Sequence, residues 1–97
     1  MSNPIPRKLV SEVYERDNYT CQYCLSTENL QIHHIVAAGM GSKRVHEESN
    51  LVTLCVFCHA LAHSHKAKRV KRDLMRFSRK MYGNEIDKIE KRKWRVV

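Results

Sequence analysis

The chain has 97 residues, with 18 Lys/Arg, 10 Asp/Glu, 4 Cys and a formal net charge of +8 at pH 7. That length suits one domain with a small core, a size at which bound metal often makes up for scarce apolar burial. No segment approaches the ~18 apolar residues of a membrane span, and the start, MSNPIPRKLV, lacks the 7–15-residue apolar run of a secretory signal.

These features point to an intracellular protein, where thiols stay reduced and four cysteines favour zinc over disulfides. Charge is unevenly placed. Residues 1–65 carry 5 Lys/Arg and 6 Asp/Glu, a net of −1, and residues 66–97 carry 13 and 4, a net of +9. Such asymmetry suits a polyanionic partner, most simply nucleic acid. Basicity alone serves equally well as a solvated face that keeps a protein soluble.

In chain order, Met1 to Pro6 is read as an irregular arm, because Pro4 and Pro6 oppose regular structure. Arg7 to Asp17 is expected to be a helix, with Leu9, Val10, Val13 and Tyr14 as its apolar stripe and Asn18 as its stop. It is read as a support, with no catalytic residue. Cys21-Gln22-Tyr23-Cys24 is a C-x-x-C, and Cys55-Val56-Phe57-Cys58 is a second. Two such pairs in a small reduced chain signal a tetrahedral Zn²⁺ site. A redox dithiol would need only one pair. A site of four cysteines is closed, so it should hold the fold and leave the chemistry elsewhere.

Leu30 to Val36, LQIHHIV, is expected to be a strand. Strand alternation puts Leu30, Ile32 and His34 on one face and Gln31, His33 and Ile35 on the other, so the two histidines should have different jobs. Ala37 to Ser49 is read as a loop, with Gly39, Gly41, Lys43 and Arg44 suited to a phosphate backbone. It should close a hairpin with the strand Leu51 to Leu54. After Cys58, a helix to about Lys66 carries His59 and His63, one turn apart and so on one face. His65 lies off that face. Val70 to Tyr82 is a further expected helix, with Val70, Leu74, Phe77 and Met81 as its seam and Gly83-Asn84 as its end. Asn84 to Trp94 is read as a last short helix with Ile86 and Ile89 inward. Its basic end, Lys91 to Arg95, surrounds Trp94, which is read as an anchor for the tail. There is no internal repeat and no low-complexity segment.

The order C-x-x-C, His33-His34, Asn50, C-x-x-C-His59, His63 resembles the His-Asn-His (HNH) endonuclease family, in its small stand-alone phage and bacterial form with zinc knuckles. The likeness spans about residues 12 to 66, and Asn50 stands nine residues before His59. It implies a small α+β fold: a ββα-metal core with a four-cysteine zinc site, an N-terminal helix and a basic C-terminal helical tail. The whole is expected to be one domain, 1–97, with the nuclease core at 7–66 and the basic extension at 67–97.

The resemblance also implies roles. His34 matches the general base. His33, His59 and His63 match ligands of one catalytic divalent ion. Asn50 matches a residue that orients the base and pins the loop. Cys21, Cys24, Cys55 and Cys58 match structural zinc ligands. His33 stands where the family often has Asp, and Ala37 and Ala38 where it often has Pro. A third nitrogen ligand moves the ion from Mg²⁺ toward Mn²⁺, Ni²⁺, Co²⁺ or Zn²⁺. Products would be a 5′-phosphate and a 3′-hydroxyl.

The chemistry fits these residue types. A neutral imidazole, with a reference pKa of about 6.5, can take a proton from water near pH 7. The amide of Asn50 is suited to set its tautomer or ring angle. The expected partner is double-stranded DNA, bound through Lys43, Arg44, Lys68, Arg69, Lys71, Arg72 and Arg76, with a phage terminase or similar packaging assembly as a further partner. The setting is bacterial or host cytoplasm. The rival from another class is a non-catalytic zinc-stabilised nucleic-acid-binding module. It shares the cysteines and the basic tail but gives no reason for His33, His34, Asn50, His59 and His63 together.

Overall fold

A computed structural model describes residues 4–37 and 44–93. Gly39, Gly41, Lys43, Trp94 and Arg95 lie outside that set, as do Met1 to Asn3, Ala38 and the side chains of Arg92 and Lys93. The elements in order are α1 (Arg7–Arg16), β1 (Leu30–His34), a 3₁₀ turn (Glu48–Asn50), β2 (Leu51–Cys55), α2 (Val56–Ala62), α3 (Ala67–Tyr82) and α4 (Glu85–Lys93). This is a small α+β fold. No helix among the described residues is long and apolar enough to cross a membrane.

β1 and β2 form an antiparallel two-stranded sheet, with Leu30 opposite Cys55, His33 opposite Val52 and His34 opposite Leu51. The expected hairpin is therefore present. All five residues of β2 are buried. Val52 and Leu54 belong to a cluster with Ile35, Val36, Val70, Leu74, Ile86 and Ile89, which joins the sheet to α3 and α4. Leu51 and Thr53 alternate with them and are equally buried. Each large apolar side chain in the cluster contributes about 1.5–3 kcal/mol on burial.

A two-stranded sheet leaves an edge on each side, and unpaired amides buried there are costly. The outer edge of β2 is satisfied by the segment that follows α1. Thr53 N–H donates to Asp17 Oδ2 at 2.9 Å, and Thr53 O accepts from Gln22 N–H at 3.0 Å. Arg16 donates through Nη2 to Leu51 O at 2.7 Å and through Nη1 to Glu48 O at 2.8 Å. Its Nε and Nη2 also grip the carboxylate of Asp17, at 2.8 and 2.9 Å. Asn18, with φ 56°, ends the α1 segment in the left-handed conformation that asparagine tolerates.

Two expected helices have different limits. α2 stops at Ala62, four residues early. Ser64 Oγ donates to Leu61 O at 2.6 Å and accepts from Lys66 N–H at 3.1 Å, which draws the backbone into a turn before α3 starts at Ala67. On α3, Val70 and Leu74 point inward as expected, but Met81 is 42% exposed. Arg16 occupies the space beside that last turn, 5.5 Å from the Phe77 ring and 5.7 Å from the Tyr82 ring. Tyr82 OH accepts from Arg16 Nη1 at 3.2 Å, so Tyr82 turns toward the body in place of Met81. Ser78, absent from the expected seam, is buried and donates to Ser49 O at 2.6 Å. Gly83, with φ 66°, turns the chain into α4, where Ile86 and Ile89 are inward as expected.

Asp17 is 4% exposed and serves both Arg16 and the Thr53 amide. Asp17→Ala should therefore lower the unfolding free energy by about 3–5 kcal/mol, the usual cost of stripping one partner from a buried ion pair. Urea denaturation at constant zinc measures it, and a loss below about 1 kcal/mol would show that the pair behaves as a surface one.

Candidate active site and sulfur cluster

The sheet and α2 bring the two cysteine pairs together. Cys21 and Cys24 lie between α1 and β1, Cys55 ends β2, and Cys58 sits in the first turn of α2. One sulfur from each lies within 4.8 Å of every other. Cys24 Sγ and Cys55 Sγ are 3.6 Å apart. A disulfide would require about 2.05 Å, whereas ligands on one tetrahedral zinc stand roughly 3.8 Å apart. Backbone amides point at these sulfurs: Tyr23 and Cys24 N–H at Cys21 Sγ, both 3.4 Å, and Cys58 N–H at Cys55 Sγ, 3.5 Å. Burial raises the Cys21 thiol pKa, but the donated N–H bonds outweigh it and bring the value to about 7. Burial pushes Cys58 up. The cluster suggests a structural zinc site, and its donor set and spacing fit that ion.

A second cluster forms where β1 meets α2. His33, buried on β1, faces His59 on α2 and His63 at its C-cap. One nitrogen from each ring lies within 4.8 Å of the other two. His33 Nδ1 and His59 Nδ1 are 3.3 Å apart. Nitrogens on one ion at about 2.1 Å stand roughly 3.0–3.4 Å apart, so this cluster also fits a divalent cation. Burial, and then the positive charge of His59, His63 and His34, lowers the His33 pKa to about 4. Burial, then His63, lowers His59 as well. Neutral rings offer their lone pairs to a cation. His63 is exposed, so the cluster opens toward solvent on that side.

His34 ends β1 beside this cluster. Burial, followed by Arg44 and His46, lowers its pKa to about 4. Two adjoining clefts, of about 220 and 300 Å³, share His33, His34, Ala37 and His63 in their walls. Arg44 and His59 line one, and Lys68 and Lys71 the other.

Asn50 is 0% exposed. Its Oδ1 accepts from Val36 N–H at 2.7 Å, and its Nδ2 donates to Val36 O at 3.2 Å and Val45 O at 3.0 Å. Both amide hydrogens thus go to backbone carbonyls on either side of the loop. Asn50 thereby ties Val36 to Val45, and both of its amide hydrogens are engaged away from the His34 ring. That ring meets a residue to which the sequence reading gave no role: His34 Nε2 lies 3.0 Å from His46 Nδ1. In the sequence His46 is one histidine of the Ala37–Ser49 segment, and no spacing rule connects it to β1.

Among the other expected residues, Lys68, Arg69, Arg72 and Arg76 are exposed along α3. Lys71 pairs with Glu90 at 2.7 Å, so its charge is partly matched within the chain. Lys43 lies outside the described residues, and His65 is exposed and apart from the cluster, as expected.

A hairpin followed by a helix, with histidines of both converging on one point, is the ββα-metal arrangement found in metal-dependent nucleases. Residues 21–65 match the model of the HNH endonuclease family. No curated protein and no solved structure matches the chain.

Unfolded, His33 and His34 would titrate near 6.5; folded, each stays neutral down to about 4. Between those values the unfolded chain binds more protons, so the metal-free histidine site should cost stability as pH falls from about 6.5 to about 4. Urea midpoints across that range should show a steeper decline for the natural chain than for a His33→Gln/His34→Gln variant. Parallel declines would mean that cysteine protonation alone accounts for the effect.

Proposed function

We propose that this chain is an endonuclease that hydrolyses DNA phosphodiester bonds with the aid of a divalent ion. The observation that carries the reading is the convergence of His33, His59 and His63 on one point directly beside His34. A zinc-stabilised binding module has no use for that convergence.

His33, His59 and His63 would hold the ion, and three nitrogen ligands favour Mn²⁺, Ni²⁺, Co²⁺ or Zn²⁺ over Mg²⁺. Such an ion supplies Lewis acidity, drawing charge from the phosphoryl group and easing departure of the 3′ oxygen. His34 acts as general base. The ring is neutral at pH 7 and so has a lone pair to accept a proton from water as the water oxygen bonds to phosphorus; burial and Arg44, which lower its pKa, make it a weaker base until the negative phosphate enters the cleft. The bond from phosphorus to the 3′ oxygen breaks, and that oxygen takes a proton from solvent. Arg44, in the wall of the same cleft, is placed to meet a phosphate oxygen.

Lys68, Arg69, Arg72 and Arg76 give α3 a cationic face for the flanking phosphates, with Lys71 at the cleft. Lys43 is assigned to the same surface from its place in the sequence. The four cysteines hold zinc for structure, and Asn50 fixes the loop that carries Arg44. The duplex is the favoured substrate because a rigid row of exposed cations suits a regular phosphate backbone. One site of this kind cuts one strand per encounter.

Supercoiled plasmid should be nicked in the presence of Mn²⁺, Ni²⁺, Co²⁺, Zn²⁺ or Mg²⁺, with His34→Ala slower by about 10² or more. Zinc content and DNA affinity of that variant should match the natural chain. Nicking by His34→Ala at the natural rate would remove His34 as the base. Separately, Lys68→Ala/Arg72→Ala should flatten the slope of log affinity against log salt by about 2 units. An unchanged slope in filter binding would take α3 off the DNA.

A further inference from the structure

We propose that His46 is the positioning residue of this site, holding His34 in the one neutral tautomer that can accept a proton from water. The inference rests on the reading of His34 as general base and identifies what orients it.

His34 Nε2 and His46 Nδ1 are 3.0 Å apart, with ring planes inclined at 44°. A hydrogen bond between two neutral imidazoles holds one proton, so one ring donates and the other accepts. If His46 donated, His34 would use its Nε2 lone pair on His46 and carry its own proton on Nδ1. No lone pair would remain for water. If His34 donates from Nε2, its Nδ1 lone pair is free. When Nδ1 takes the proton, the ring becomes an imidazolium whose Nε2–H still points at the neutral Nδ1 of His46. That bond becomes charge-assisted and strengthens as the reaction proceeds. The proton afterwards leaves Nδ1 for solvent, and the pair returns to its starting state.

The loop places His46 for this role. Asn50 Nδ2 holds the carbonyl of Val45 at 3.0 Å, one residue before His46, and Asn50 O accepts from Ile35 N–H at 2.9 Å, one residue after His34. Asn50 thus fixes the backbone on which each ring is mounted, and the contact between the rings sets the tautomer. This is the division of labour of a base held by a third group, with a neutral imidazole as the acceptor.

Two substitutions separate orientation from packing. His46→Leu keeps bulk and removes the acceptor, whereas His46→Asn puts an amide oxygen about where Nδ1 stands. Nitrogen-15 NMR of the full chain with zinc on its cysteines should show the His34 proton on Nε2 in the natural protein and in His46→Asn. In His46→Leu it should be divided between the two nitrogens. In plasmid nicking, His46→Leu should lower kcat about tenfold or more at unchanged KM. His46→Asn should recover most of that loss.

A His34 proton on Nδ1 in the natural protein would overturn the proposal. So would natural kcat in His46→Leu while His34→Ala is inactive, or equal losses in both His46 variants with falling zinc content. If His34→Ala itself cuts at the natural rate, the general-base reading has failed and this inference falls with it.

Discussion

Burial of β2 on both of its faces is the constraint from which the rest of the structure follows. β2 has β1 along one edge, and its other edge carries Leu51 O and Thr53 N–H and O into the protein, where an unmet polar group costs several kcal/mol. Arg16, Asp17 and Gln22 meet these groups one by one. With that edge closed, β2 can be apolar or buried throughout and still keep a single register. The register then fixes the site: it sets His33 opposite Val52 and His34 opposite Leu51, at the end where Asn50 enters the strand. Arg16 also reaches Tyr82, so the group that closes the sheet draws the end of α3 onto the same body.

The parts of the site that were legible in the sequence are those whose geometry is local. Cys55 and Cys58 bracket a strand-to-helix junction, and Cys58 N–H points at Cys55 Sγ because three residues bring it there. His59 and His63 face one way because four residues make about one turn, even though the helix ends at Ala62. His33 and His34 do take different partners, the α2 histidines and His46, but both line the same two clefts, because His34 ends the strand and alternation no longer separates them there. His46, Arg16 and Asp17 follow no such rule. Arg16 acts on groups 32, 35 and 66 residues away, and His34 finds His46 only after the loop has been folded back by Asn50. Met81 was misplaced for the same reason, since an arginine from the other end of the chain decided which face of the last turn of α3 lies inward.

Charge is sorted within the C-terminal helices as well as along the chain. Lys71, Arg79 and Lys88 pair with Glu90, Asp87 and Glu85, bonds that tie α3 to α4 or brace α4 itself. Arg79–Asp87 and Lys88–Glu85 are exposed and add little stability, Lys71–Glu90 is half-buried, and the apolar contacts of Val70, Leu74, Ile86 and Ile89 hold the helices. Lys68, Arg69, Arg72, Arg76 and Lys80 remain exposed on α3. The acidic residues of α4 thus take up Lys71 and Arg79 and leave Lys68, Arg69, Arg72, Arg76 and Lys80 outside those ion pairs. A surface of that form attracts a polyanion.

α2 is only seven residues long, yet it contains Cys58 and His59, with Cys55 immediately before it and His63 immediately after. Its position cannot shift by half a turn for one cluster without spoiling the other. Were both clusters to hold ions, the shared helix would link them: an ion that fixes α2 at one cluster would tighten binding at the other, and by thermodynamic reciprocity the two enhancements would be equal. Depletion of zinc from the surroundings would loosen the histidine site without touching it. A chelator would then act on the pair of clusters and not on either one alone.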